Sequence, residues 1–83
     1  MGENVYVEVV FPAMSKRYDF VLPVKLRVQP ATRLISQIIM NKERLELDVE
    51  KLLLFNYDGK VLIDSSMSVY EAGINDGSRL ILV

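Results

Sequence analysis

From Lys51 to Val83 the chain reads KLLLFNYDGKVLIDSSMSVYEAGINDGSRLILV, short apolar runs separated by glycine turns. An apolar strand over Leu52–Phe55 runs into Asp58-Gly59, a hairpin signal because glycine accepts the positive φ such turns need. A brief second strand is expected at Val61–Ile63, ending in the polar Asp64-Ser65-Ser66. One helical turn at Ser68–Ala72 and a second Gly turn at Asn75-Asp76-Gly77 lead into a closing strand, Arg79–Val83.

Upstream of this stretch, Glu43–Glu50 reads as a polar-apolar crossover pinned to the core edge by Leu45 and Leu47. Before it, Gln29-Pro30 opens the one convincing helix, since the missing proline N–H would be unpaired in the first turn anyway. Thr32 competes as a cap, so the start shifts by up to about two residues. Leu34, Ile35, Ile38 and Ile39 form an apolar stripe, with Arg33, Ser36, Gln37, Asn41 and Lys42 largely opposite. At the N-terminus Val5–Val10 alternates with period two, Phe11–Arg17 breaks the pattern at Pro12, and Tyr18–Leu22 resumes it with Tyr18, Phe20 and Leu22 on one side. These runs predict a hairpin with a long basic tip, followed by a Pro23–Val28 connector with some extended character. One amphipathic helix between a hairpin and a strand-rich tail belongs across a single sheet.

Eighty-three residues, 51% apolar and 25% charged, describe a single globular domain spanning residues 1–83. A net charge of −1 carries no electrostatic footprint for nucleic acid, so no such partner is expected. The chain contains neither cysteine nor histidine, which removes disulfides, thiolate chemistry, the commonest general base and the commonest metal ligand. No phosphate loop or nucleophile elbow is present. The expectation is therefore no enzyme activity, no cofactor and no metal. Met1-Gly2 would begin a myristoylation signal with Ser or Thr at position 6, but Tyr6 stands there. With no long apolar run, the reading is a cytoplasmic protein without direct membrane insertion.

The ββαββ order, with a short helical turn before the last strand, resembles ubiquitin-like proteins over nearly the whole chain. Leu53-Leu54-Phe55, Met67-Ser68-Val69-Tyr70 and Leu80-Ile81-Leu82-Val83 sit where those domains carry comparable residues. The length, the Tyr18-Asp19-Phe20 strand and the ending Ala72-Gly73-Ile74-Asn75-Asp76-Gly77 followed by an apolar strand are similar to the YukD-type ubiquitin-like proteins of bacterial type VII secretion loci. The resemblance implies an α+β β-grasp, a mixed sheet of four to five strands packed on one main helix. It also implies that the Tyr70 hydroxyl bonds a nearby loop backbone. Ubiquitin and the sulfur carriers act through a Gly-Gly tail; this sequence ends on Leu82-Val83, so the expectation is the fold without the conjugation chemistry.

A binding surface is then the expected carrier of function. If Leu53, Phe55, Leu80 and Leu82 face the helix, alternation sends Leu52, Leu54, Ile81 and Val83 to the opposite face as a partner site, and a bulge near Asn56 or Ser78 would exchange the two sets. Lys16, Arg17, Lys25, Arg27 and Arg33 read as a solvated surface before they read as a patch for an acidic partner or anionic lipid. Glu43, Glu46, Asp48 and Glu50 read as a solvated crossover. The resemblance implies an accessory or regulatory component of a type VII secretion system, with its ATPase or membrane subunits as protein partners. The alternatives are a ubiquitin-like interaction domain excised from a larger protein and, disfavoured by the missing Gly-Gly, a modifier or sulfur carrier.

Overall fold

The computed structural model describes residues 3–83; Met1-Gly2, and so the start of the acylation motif, lie outside them. The elements are β1 (Asn4–Phe11), a 3-10 turn (Pro12–Met14), β2 (Lys16–Pro23), α1 (Val28–Glu43), β3 (Leu54–Asn56) and β4 (Ser78–Leu82). They form the α+β architecture expected from the sequence, with four strands in the order β2-β1-β4-β3. β1 is antiparallel to β2 and parallel to β4, and β3 is antiparallel to β4. The short Val61–Ile63 strand is reduced to a single bridge, Phe55 to Leu62.

Period-two alternation sorts β1 cleanly, burying Val5, Val7, Val9 and Phe11. Tyr18 and Leu22 of β2 and Leu80 and Leu82 of β4 join them under α1. The helix buries Val28, Ala31, Thr32, Ile35, Ser36 and Ile39, a stripe at i, i+3, i+4, i+7, i+8 and i+11. Leu34 and Ile38 lie outside it, 47% and 42% exposed. The expected stripe therefore shifts by about half its width, because buried Thr32 and Ser36 hide their polarity. Their hydroxyls donate to the Val28 and Thr32 carbonyls at 2.8 and 2.7 Å, so their burial leaves no unpaired group.

The helix also starts earlier than expected, at Val28, with Arg27 as an N-cap that makes no side-chain capping bond. Its free N–H groups are satisfied from elsewhere: Val28 donates to the Met67 carbonyl at 2.8 Å and Gln29 to the Ser65 carbonyl at 3.0 Å, while Pro30 has no N–H to satisfy. The connector before it is a turn, held where Val69 and Tyr70 donate to the Leu26 and Val24 carbonyls. The helical turn at Ser68–Ala72 carries a capping box. Glu71 N–H donates to the Ser68 hydroxyl at 3.0 Å, and Ser68 N–H to the Glu71 carboxylate at 2.9 Å. That turn inserts Val69, which is fully buried, and leaves Tyr70 75% exposed, correcting the structural role expected for the Tyr70 hydroxyl.

Candidate functional site on the open sheet face

The side of the sheet away from α1 is built by cross-strand pairing. Residues directly opposite each other share a face. Leu62, Phe55, Ile81 and Val10 therefore form one row across the sheet, since Leu62 pairs with Phe55, Phe55 with Ile81 and Ile81 with Val10. Leu53 and Val83 flank this row, joined by two backbone hydrogen bonds of 2.7 and 3.0 Å. Leu53, Leu62 and Val83 are 46%, 52% and 52% exposed, and Phe55, Ile81 and Val10 are half-buried.

This register settles which expected site residues share the face. Ile81 and Val83 lie on it. Leu54 does not: it pairs with Leu82 and is 3% exposed, deep in the core. Leu52 is half-buried and packs against the core as well. Leu53 and Phe55, expected under the helix, are the residues of this segment that line the open face. The parity of β3 was invisible because Leu52–Phe55 is apolar at every position, so no polar residue marks the outside. Only the pairing with β4, itself anchored by β1, decides it.

A charged row runs beside the apolar one, formed by Tyr57, Arg79, Glu8 and Asp19. Arg79 is its hinge: Nε lies 3.4 Å from Glu8 Oε1 and the guanidinium sits 5.5 Å from the centre of the Tyr57 ring. Lys60 approaches the same ring at 4.9 Å. Glu8 Oε1 is screened from solvent without a hydrogen bond, so its contact with Arg79 is purely ionic. The next pair along the hairpin, Tyr6 and Val21, is 67% and 50% exposed. The Asp76-Gly77 turn holds this end of β1, with Tyr6 N–H donating to the Asp76 carboxylate and Gly77 N–H to the Tyr6 carbonyl, both at 2.8 Å.

The cationic side chains do not gather. Lys16 pairs with Glu43 at 2.7 Å, Arg33 with Glu50 at 3.0 Å, and Arg27 donates to the Ser66 carbonyl. Glu43 also accepts from the Tyr18 hydroxyl at 2.8 Å. The Lys16 and Tyr18 hydrogen bonds hold the Glu43 carboxyl below its usual range, while burial first, and Glu43 second, pushes the Tyr18 phenol up to about 12. Among the described residues, no three carboxylates converge on a point where a metal would sit. The open face thus presents an apolar row beside a charged one.

Scans against protein-family models and curated proteins returned no match. Solved structures do match. The N-terminal ubiquitin-like domain of the 4931431F19Rik protein superposes with a TM-score of 0.79 at 19% identity, covering 100% of this chain and 76% of that one. The EccD5 ubiquitin-like domain from Mycobacterium xenopi gives 0.79 at 15% identity, covering 98% and 93%. A chain of the MycP5-free ESX-5 inner membrane complex gives 0.76 at 18% identity; 96% of this chain matches 20% of that one. Strand order, helix placement and these superpositions together establish that the chain has the ubiquitin-like β-grasp fold.

Proposed function

We propose that this protein is a ubiquitin-like interaction module of a bacterial type VII secretion system, binding a protein partner non-covalently through its open sheet face. The observation that carries the reading is the row Leu62–Phe55–Ile81–Val10, flanked by exposed Leu53 and Val83 and bordered by the charged Tyr57–Arg79–Glu8 row. Apolar contact area with a polar margin is the composition of a protein-binding surface. The likeness to the EccD5 domain and to a chain of the ESX-5 inner membrane complex supports the secretion context, as does the YukD-type resemblance in sequence. In this reading the protein is an accessory or regulatory component acting in the cytoplasm, with secretion ATPase or membrane subunits as its partners. It is a binding module, not an enzyme.

The test is an affinity pull-down of tagged protein from its native cell, run in parallel under native and denaturing conditions and read by mass spectrometry. Secretion-system subunits recovered under native conditions only, and lost with Ile81→Glu, support the reading. Covalent adducts that survive denaturation overturn it.

A further inference from the structure

The two edges of the sheet are treated differently. Beyond β3 the chain doubles back, and Asn56 N–H to the Val61 carbonyl at 2.8 Å and Ile63 N–H to the Leu54 carbonyl at 3.0 Å cover that edge. β2, at the other edge, has no such cover among the described residues. Its free groups follow from β1. Tyr6 directs its N–H and carbonyl toward Asp76 and Gly77, so the even-numbered residues of β1 bond toward β4 and the odd-numbered ones toward β2. With Val9 opposite Tyr18 and Val7 opposite Phe20, the inward bonds of β2 belong to Tyr18, Phe20 and Leu22. The N–H and carbonyl groups of Arg17, Asp19 and Val21 point outward. Bulges, Pro residues, covering segments and charged side chains are the usual devices that blunt such an edge, and the charges of Arg17 and Asp19 are of opposite sign, so a second copy of the strand can match them. Here Pro23 stands only at the end, and pairing with β1 runs without a bulge from Asn4–Pro23 to Phe11–Lys16.

Side chains add two further features. Arg17 and Asp19 are exposed on the same face and form no salt bridge among the described residues. On the other face, Leu34, Ile38 and Lys42 form one i, i+4 row of α1, and Lys42 Nζ lies 5.7 Å from the centre of the Tyr18 ring. The exposed Leu34 and Ile38, on the same row as Lys42, therefore run along the β2 flank of the helix.

We propose that β2 is a self-association edge: two copies of the chain pair antiparallel, β2 to β2, about a two-fold axis at Tyr18. Charge selects this register. Centred on Tyr18, Arg17 of each copy stands opposite Asp19 of the other, twice over, and both are outward-bonding residues able to exchange backbone hydrogen bonds. Centred on Asp19, two carboxylates would meet; centred on Phe20, Arg17 would meet Pro23 and Asp19 would meet Val21. The arrangement is isologous and closes, as stable homodimers do. It joins the two sheets into one, sets the two helices on the same side with their Leu34 and Ile38 flanks toward each other, and draws Asp19 from the end of the charged row into the contact while the apolar row Leu62–Phe55–Ile81–Val10 stays open on both copies. Self-association is therefore measured on the chain alone, without a secretion partner.

Sedimentation equilibrium on the full chain, from micromolar to millimolar, tests it. The expected species has twice the 9.5 kDa chain mass. Arg17→Asp or Asp19→Arg alone replaces both attractive pairs with repulsive ones and should weaken association by roughly tenfold or more. An equimolar mixture of the two single variants should dimerise again, because every reversed charge then meets its opposite, and so should the double variant. A chain that stays monomeric at millimolar concentration, a dimer indifferent to both single reversals, or a mixture that stays monomeric overturns the proposal.

Discussion

Phe55 and Ile81 stand opposite each other on the open face, while the adjacent pair, Leu54 and Leu82, is sealed in the core. Neighbouring residues of one apolar run thus have opposite fates. Leu54→Ala should cost about 2–5 kcal/mol, the usual range for a buried leucine. Ile81→Glu should change stability by about 1 kcal/mol or less, yet remove partner binding. Urea unfolding of both variants is the check. A larger loss for Ile81→Glu than for Leu54→Ala would reverse the assignment of faces.

Helix α1 offers a matched pair of isoleucines one residue apart. Ile39 is fully buried and Ile38 is 42% exposed. Ile39→Ala should cost about 2–5 kcal/mol, against about 0.5 kcal/mol for Ile38→Ala in the monomer. Equal losses in thermal melts at low protein concentration would mean the helix is rotated from the position described.

The Ser68–Glu71 capping box holds the turn that inserts Val69 into the core. Ser68→Ala should destabilise by about 1 kcal/mol, as N-cap losses generally do. Restoration by Ser68→Asp, whose carboxylate accepts the same bond, would separate capping from a packing defect; no restoration would assign the loss to packing.

Stability should depend on pH at both extremes, through Tyr18, shifted first by its burial and then by Glu43, and through Glu43, shifted first by its bond from Lys16 and then by that from Tyr18. The Tyr18 phenol is raised from 10.0 to about 12, so its contribution is complete below pH 10 and disappears as the pH climbs from 10 to about 12. Glu43 is lowered from 4.5, so its contribution is present above that pH and is lost as the pH falls through the depressed value. Tyr18→Phe should flatten the alkaline decline. Urea midpoints measured across the pH range decide it: an unchanged alkaline slope would place the titrating group elsewhere.

Much of the fold was legible where one polar residue alternates with one apolar residue. Val5, Val7 and Val9 announce both a strand and its buried face, and Tyr18 and Leu22 do the same for β2. Asp58-Gly59 and Asn75-Asp76-Gly77 announce turns, because Gly59 and Gly77 adopt φ of 81° and 86°, where a Cβ is strained. Legibility failed where the pattern saturates or a polar group is satisfied out of sight. Leu52–Phe55 has no polar marker, so Leu52 and Leu54 looked as free to face outward as Leu53 and Phe55. Thr32 and Ser36 looked solvent-facing because their bonds to carbonyls one turn earlier are made only inside the helix.

The helix, its clasping sheet and most of the turns were written in local patterns of the sequence, in a chain with neither histidine nor cysteine and a net charge of −1. Which residues form the open face depends on contacts made across the fold. The cap of α1 comes from Ser65 and Met67, far along the chain, and the parity of β3 comes from its pairing with β4. Both are long-range backbone hydrogen bonds, and a local pattern carries no record of a partner that folding has yet to bring alongside.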